Sequence, residues 1–173
     1  MAWYRWKPVT EQVQTNSMAP RSDTPGVILP PPALFVLIFA MAYVLERAHP
    51  LPVPLTEHAT FWPRIVFLNS SWILALWATG FMVRARTHIN PLRPATSLVR
   101  GGPFKFSRNP LSASLVLLYI GMAFQINSLW PVFLLPVLLL VNHFGIILRE
   151  ERYLEAKFGD EYRNYRAAVR RWI

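Results

Sequence analysis

The sequence contains no cysteine, and it has few charged residues for its length. The absence of cysteine excludes disulfides, cysteine metal ligands and a cysteine nucleophile. Charged residues make up 16% of the 173 positions, against roughly 25% in a typical soluble protein, whereas hydrophobic residues make up 53%. The charges also cluster and leave long stretches nearly free of them. These features indicate an integral membrane protein, and the length allows one domain.

Acidic residues are half as numerous as basic ones, nine against 18, so the net charge is +9. A positive charge of this size can indicate nucleic-acid binding. Here, however, the basic residues are partitioned by segment as membrane topology predicts, and they form no RNA-binding motif. We therefore predict no nucleic-acid partner. We also predict no metal site, because the four histidines are dispersed along the chain: His49, His58, His88 and His143.

Four apolar segments predict an all-α fold, an integral membrane helical bundle of about four transmembrane helices. They cover residues 27–45, 61–83, 111–124 and 129–148. Three prolines at 30–32 are expected to open the first helix, which leaves a span shorter than the usual requirement of about 20 residues. Pro136 is expected to kink the fourth helix. An uncharged link joins the third and fourth segments into a C-terminal helical hairpin.

Beyond the hairpin, the pattern changes from uniformly apolar to mixed. We expect the fourth helix to continue out of the bilayer and to stop at Gly159. A cytosolic amphipathic helix is predicted to follow, with its apolar face on the membrane surface. That face carries Tyr162, Tyr165, Val169 and Trp172.

The distribution of basic residues predicts the topology. Residues 1–26 are polar and predict a cytosolic N-terminal tail, with an interfacial anchor through the aromatic residues Trp3, Tyr4 and Trp6 as the alternative. Residues 27–173 form a single membrane domain. Every Lys and Arg except Arg47 and Arg64 lies in the tail, the 84–110 loop or the C-terminal segment. The positive-inside rule therefore places both termini in the cytosol, and we expect a bacterial inner membrane.

The loop before the third span combines features that suit an anion. Arg108 offers a planar guanidinium, which matches a carboxylate or a phosphate. Asn109 and Pro110 then open a helix whose first N–H groups have no intrahelical partner. Gly102 and Pro103 are expected to let the backbone approach a ligand closely. A simple positive-inside anchor is the alternative role for Arg108.

An acidic pair leaves the fourth span on the same side of the membrane. Carboxylates are costly near hydrocarbon and are not needed for topology, so Glu150 and Glu151 are candidates for binding cations or hydroxyls. Ion pairing with nearby arginines is the alternative. His143 lies seven residues before Glu150, so both are expected on one helix face, although a buried interhelical hydrogen bond explains His143 equally well.

A ligand that satisfies both ends of the hairpin needs a carboxylate for Arg108 and a positive charge with a diol for the acidic pair. S-adenosylmethionine has these groups, and it enters from the cytosol, where these residues converge. A nucleotide or a lipid headgroup also combines mixed polar groups. The residues alone leave these three ligands open.

Residues 98–110 read LVRGGPFKFSRNP, and residues 149–165 read REERYLEAKFGDEYRNY. With the hairpin between them, they resemble the membrane methyltransferases related to isoprenylcysteine carboxyl methyltransferase and the phospholipid N-methyltransferases. The match covers residues 91–172. The resemblance implies a methyltransferase that uses S-adenosylmethionine, with the cofactor pocket in the half from about 84 to 173. It also implies a lipophilic methyl acceptor that enters from the bilayer.

The resemblance also assigns residues. Matching positions place the loop, the Arg-Asn-Pro step, the acidic pair and a position ahead of the loop against the cofactor. With His143, the predicted cofactor-binding residues are His88, Gly102, Pro103, Phe104, Arg108, Asn109, Pro110, His143, Glu150 and Glu151. Arg149 and Glu151 are predicted to act catalytically by orienting the acceptor.

The predicted function is therefore an isoprenylcysteine carboxyl methyltransferase-like enzyme of the membrane. A phospholipid amine N-methyltransferase is the alternative enzyme, and it differs in the acceptor atom. A non-enzymatic four-helix scaffold, whose basic loop binds anionic lipid, is the alternative of a different class. The sequence leaves the oligomeric state open, since small residues near the start of the third span suit contacts within one chain or between chains.

Overall fold

A computed structural model describes residues 24–27, 29–90 and 93–172, and the predicted cytosolic tail lies outside these residues except for its last three. The helices are α1 (Pro31–Ala48), α2 (Glu57–Arg84), α3 (Pro110–Gln125), α4 (Trp130–Asn142), α5 (Leu148–Phe158) and α6 (Asp160–Ala168). A 3₁₀ turn, Gly102–Lys105, precedes α3, and a π-helical turn, His143–Ile147, joins α4 to α5. The described residues contain no β-strand, so the predicted all-α fold is confirmed.

In the part of the chain that the structure describes, three helices are long and apolar enough to cross a membrane. They are Pro31–Ala48, Glu57–Arg84 and the continuous rod Trp130–Phe158. The apolar helix α3 has 16 residues and a length of about 24 Å, less than the roughly 30 Å of bilayer hydrocarbon. Large apolar side chains such as Val36, Trp62 and Leu76 are exposed, as expected where lipid replaces water. The predicted membrane helical bundle is therefore confirmed, with α3 as its short member.

The helices begin where local chemistry allows. Pro30 is the N-cap of α1 and proline occupies its first turn, as predicted. The helix runs on to Ala48, so it is longer than the apolar segment suggested. Helix α2 begins at Glu57, four residues before its predicted start, because the hydroxyl of Thr56 accepts a hydrogen bond from the amide of Ala59.

Close packing of α2 on α3 builds one half of the bundle. A methyl group at Gly121 would lie 2.8 Å from the side chain of Leu68, so the glycine lets the two helices approach closely. The rings of Phe67 and Phe124 stack with centroids 6.1 Å apart. Helix α1 packs on α4, and α3 and the π turn also contribute to the core. Its buried side chains include Leu34, Phe35, Ile38, Tyr119, Leu138 and Ile146.

Hydrogen bonds tie the connections at the predicted outer end. Oε2 of Glu46 accepts from the Leu51 amide at 3.0 Å and from the Ser128 hydroxyl at 2.7 Å. The amide of Leu129 donates to the carbonyl of Leu51 at 2.9 Å. These contacts fix the link between α1 and α2 to the turn between α3 and α4.

Gly159 ends α5 with a φ of +54°, as predicted, and the chain reverses into α6. The prediction that the apolar face of α6 lies on the membrane is wrong. Tyr162 and Tyr165 are buried against the loop before α3. The helix ends at Ala168, so Val169 and Trp172 lie beyond it and do not extend its apolar face.

Candidate active site

The turn before α3 is shaped by contact with α2. Gly102 has a φ of +58°, and a methyl group on it would lie 2.5 Å from the ring of Phe81. Glycine is therefore needed at this position, because the backbone has a positive φ and packs directly against the ring of Phe81. The carbonyl of Phe104 then accepts a hydrogen bond from the Tyr165 hydroxyl at 2.7 Å. These contacts fix the turn between α2 and α6, and they place the following Arg108 at the cavity wall.

The structure brings Arg108 and Glu151 together. Nη1 of Arg108 lies 3.0 Å from Oε1 of Glu151, and both side chains are only 8% exposed. The same nitrogen donates a longer hydrogen bond, 3.4 Å, to the hydroxyl of Tyr162. Nε of Arg108 is buried and has no partner among the described residues. A buried donor without a partner is costly, and a ligand atom that reached Nε would satisfy it.

Glu151 is also held by a second arginine. Arg171 donates from Nε at 2.9 Å and from Nη2 at 2.8 Å, one bond to each carboxylate oxygen. The hydrogen bonds to Glu151 raise the pKa of Arg171 above its ordinary value. Two guanidinium groups thus compensate one buried carboxylate. Sequence reasoning did not assign Arg171 to the site, because it placed Arg171 on the polar face of the last predicted helix, whereas that helix ends at Ala168.

Glu150 differs from its neighbour. Its side chain lines both cavities of the site, and it has neither a hydrogen bond nor an ion pair with any residue that the structure describes. The two acidic side chains therefore have different surroundings, because two arginines neutralise Glu151 and no described residue neutralises Glu150. An uncompensated carboxylate at a cavity wall attracts a cation or hydroxyl donors.

Two adjoining cavities meet at these residues. The smaller cavity measures about 80 Å³ and is bounded by Glu151, Tyr162 and Tyr165. The larger measures about 530 Å³ and extends to the starts of α1 and α3, past Pro31 and Leu115. Its volume lies in the usual range for small-molecule sites. Both cavities are lined by Met82, His88, Ala95, Phe104, Arg108, Asn109, Glu150 and Leu154.

The two tyrosines of α6 are neutral at physiological pH. Burial, with a smaller effect from Glu151, raises the pKa of Tyr162 to about 12. Burial and the neighbouring Tyr162 also raise the pKa of Tyr165 above its ordinary value. Sequence reasoning placed these residues on a membrane-facing surface. The signal that could have located them is their position in the Phe-Gly-x-x-Tyr-x-x-Tyr run that follows the acidic pair.

A family model described as phospholipid methyltransferase matches residues 59–161, which is more than half of the chain. The chain belongs to the phospholipid methyltransferase family. An uncharacterised protein of Haemophilus influenzae is 53% identical over 47 residues, which are 27% of this chain and 73% of that protein. No solved structure matches the chain. The predicted family is thus confirmed, and the match also takes in most of α2.

Seven of the predicted residues of this methyltransferase-family chain line at least one cavity, Glu151 and six others. The six others are His88, Phe104, Arg108, Asn109, Pro110 and Glu150. Pro110 lines only the larger cavity and Glu151 only the smaller one. Asn109 also donates from Nδ2 to the carbonyl of Arg171 at 3.1 Å. The structure therefore brings most of the predicted cofactor contacts to one place.

The remaining predicted residues lie apart from the cavities. Gly102 and Pro103 support the turn behind Phe104 and line neither cavity. Arg149 donates from Nη1 to the carbonyl of Gly26 at 3.0 Å. His143 begins the π-helical turn, where its ring packs edge-on against Phe144 at 4.9 Å. The π turn is wider than an α turn, so a spacing of seven residues no longer places His143 beside Glu150.

Proposed function

We propose that the chain transfers a methyl group from S-adenosylmethionine to a lipophilic acceptor. The observation that carries this proposal is the meeting of Arg108 and the unpaired Glu150 in the wall shared by the two cavities, in a chain of a methyltransferase family. The arrangement favours a ligand with an anionic end and a cationic or hydroxyl-bearing part. The larger cavity would take the acceptor.

The residues present fit this cofactor. The buried and unpartnered Nε of Arg108 suits the amino-acid carboxylate, and Arg108 stands two residues before α3, whose first N–H groups also favour an anion. The unpaired carboxylate of Glu150 suits the positive charge or the ribose hydroxyls. S-adenosylmethionine, when bound, supplies a methyl group on a positively charged sulfur. The dispersed histidines suggest no competing metal chemistry, and no group of three or more metal-ligating side chains occurs in the described part of the chain.

The contribution of the protein is positioning. Glu151 and Tyr162 fix the guanidinium of Arg108, so its orientation does not have to be established when a ligand binds. Holding two reactants in line can lower a barrier by roughly 7–11 kcal/mol. The larger cavity is bounded by Pro31, Leu111 and Leu115 at its far end, and these side chains exclude water from the acceptor.

Two acceptor classes fit the larger cavity. A phospholipid amine is favoured by the description of the family. Arg93, which also lines the larger cavity, would then face the phosphate. A carboxyl acceptor of the isoprenylcysteine type, which the sequence favoured, would instead place its carboxylate on Arg93.

The test begins with calorimetric binding of S-adenosylhomocysteine to the detergent-purified protein. We expect one saturable site, weakened about tenfold or more in Arg108→Ala. Arg100→Ala removes the same charge from an exposed arginine that pairs with Glu161, and it should bind as the wild type does. No binding by a folded wild type, in detergent and in lipid nanodiscs, would reject the cofactor and favour the lipid-binding scaffold.

The acceptor is identified by transfer of a labelled methyl group from S-adenosylmethionine. Phosphatidylethanolamine and a prenylcysteine are offered separately in nanodiscs of neutral lipid. If the acceptor is an amine, label appears in phosphatidylethanolamine, and Arg93→Ala raises its KM. Label in the prenylcysteine alone would establish the carboxyl acceptor. Label in neither, although S-adenosylhomocysteine binds, would exclude both acceptor classes.

A further inference from the structure

The last described residues, 169–172, form a non-helical segment, which we name the C-terminal strap. Val169 has extended backbone angles, φ −126° and ψ 134°, and its amide donates the last hydrogen bond of α6, to Tyr165. The strap then runs beside the loop that carries Arg108. It lines neither cavity, so any effect on a ligand must be exerted through the residues that it contacts.

Three consecutive loop residues donate to two consecutive carbonyls of the strap. The amide of Arg108 donates to the carbonyl of Arg170 at 3.0 Å. The hydroxyl of Ser107 and Nδ2 of Asn109 both donate to the carbonyl of Arg171, at 3.3 Å and 3.1 Å. The strap therefore fixes both the backbone of Arg108 and the side chain of Asn109, and both of these residues line the cavities.

The side chain of Arg171 fixes the strap from the other direction. Its two bonds occupy both oxygens of Glu151, which also pairs with Arg108. The carboxylate is thus shared between the strap and the cavity wall. Because both oxygens already accept from arginine, Glu151 has little capacity left for a ligand, whereas Glu150 has no competing partner among the described residues.

We propose that the C-terminal strap holds the Arg108–Asn109 corner in the cavity wall, and that Arg171 is its positioning residue. Arg171 acts through Glu151 and touches no ligand. The two acidic residues therefore have different roles in recognition. Glu151 maintains the geometry of the cavity wall, and Glu150 binds the cationic or hydroxyl-bearing part of the ligand. This second statement rests on the proposed function, whereas the mechanical role of the strap does not.

The mechanical role is tested without ligand by hydrogen exchange at the Arg108 amide, which donates to the strap. Site-resolved exchange is measured on the detergent-purified protein. Arg171→Ala is expected to accelerate exchange at this amide about tenfold or more, since the strap loses its ionic attachment. Arg170→Ala is the matched control, because it removes the same charge from the same strap, but the Arg170 side chain is exposed and has no hydrogen bond or ion pair with a described residue. In Arg170→Ala, the exchange rate of the Arg108 amide should equal that of the wild type.

The recognition role is tested by calorimetric binding of S-adenosylhomocysteine to the same proteins. Arg171→Ala should weaken binding about tenfold, Arg171→Lys should recover part of the loss, and Arg170→Ala should bind normally. Equal exchange rates of the Arg108 amide in Arg171→Ala and Arg170→Ala would overturn the proposed role of the strap, even if the wild type binds the ligand. Failure of the wild type to bind would instead overturn the proposed function, and the exchange comparison would still decide the role of the strap.

Discussion

Glu151 is the counter-ion of two arginines, so its carboxylate should matter for stability as well as for the site. In Glu151→Gln, Arg108 keeps its burial but loses its charged partner. Removing one member of a buried ion pair typically costs several kcal/mol, and we expect a loss of about 3 kcal/mol in the free energy of unfolding. Denaturant titration of the purified protein in mixed micelles measures this loss.

Glu155 provides the matched control for this substitution. It lies on the same helix, and it pairs with Arg166 where the two side chains are 32% and 50% exposed. Exposed pairs contribute little, so Glu155→Gln should cost under about 1 kcal/mol. Equal losses in the two variants would show that the Arg108–Glu151 contact contributes no more than a surface pair.

The tyrosines of α6 predict how stability depends on alkaline pH. The pKa of Tyr162 rises from 10.0 to about 12 in the folded chain, so the folded state favours the neutral phenol. This contribution to stability is complete below pH 10, and it is lost as the pH rises towards 12. The melting temperature should therefore fall over this interval. Tyr162→Phe should reduce the fall, and an unchanged slope in that variant would contradict the assignment.

Arg149 lies outside the cavities but bonds to a segment that borders one. It donates to the carbonyl of Gly26, and the adjacent Pro25 lines the larger cavity. Arg149→Ala should therefore raise the KM for the acceptor while leaving the affinity for S-adenosylhomocysteine unchanged. Initial rates at varied acceptor concentration measure the KM, and calorimetric titration measures the affinity for S-adenosylhomocysteine. Weakened binding of S-adenosylhomocysteine would place Arg149 in the cofactor site, which the geometry does not support.

Among the individual residues of the site, sequence reasoning identified those whose charge is unusual for their place in the chain. Arg108, Glu150 and Glu151 are conspicuous because charges near hydrocarbon need a reason. Arg171 is not conspicuous, because it is one of several arginines near the C-terminus. Its role depends on the strap turning back towards Glu151, which is a tertiary contact that no local pattern encodes.

The turn before α3 depends on glycine for a packing reason. Gly102 has a positive φ and faces the ring of Phe81 on α2. Gly102→Ala should lower the free energy of unfolding by on the order of 2 kcal/mol, through backbone strain and the clash with the ring. Gly80→Ala is the control, because a methyl group there meets no atom within 4 Å.

The contribution of the ring is separated by a double-mutant cycle. If the clash carries part of the cost, Gly102→Ala should be less costly in a Phe81→Ala background than in the wild type. The remaining cost is that of the positive φ. A cost that is unchanged by Phe81→Ala would mean that backbone strain alone explains the glycine.

Helix positions followed from apolar runs and proline, whereas helix register did not. Pro30 and Gly159 mark the start of α1 and the end of α5 as their backbone preferences predict. The π turn at His143–Ile147 carries no comparable signal, and it changes which residues share a face with Glu150. A helical spacing argument fails at such a turn, because it assumes a constant number of residues per turn.

For the whole molecule, composition was sufficient to predict a membrane bundle. The structure adds that the two ends of the bundle differ. One end is closed by the hydrogen bonds of Glu46 to Leu51 and Ser128. The other carries the cavities, the basic loop and the strap. The C-terminal segment was expected on the membrane surface, because hydrophobic patterning cannot distinguish a lipid-facing side from one that packs on a loop.

The absence of cysteine allows a direct test of the predicted orientation, with the cavities towards the cytosol. Lys105 precedes α3 and Gln125 ends it, so the two residues lie at opposite ends of one helix. Both are exposed. Because the chain contains no cysteine, Lys105→Cys and Gln125→Cys each introduce a single thiol, and the parent chain measures background labelling.

In intact bacterial cells, a membrane-impermeant maleimide should label Gln125→Cys and leave Lys105→Cys unlabelled. Both should be labelled after the cells are permeabilised. The physical reason is the clustering of basic residues at the cavity end, which favours retention of that end in the cytosol. Labelling of Lys105→Cys alone in intact cells would reverse the topology, and it would place Arg108 and Glu150 on the side that cytosolic S-adenosylmethionine does not reach.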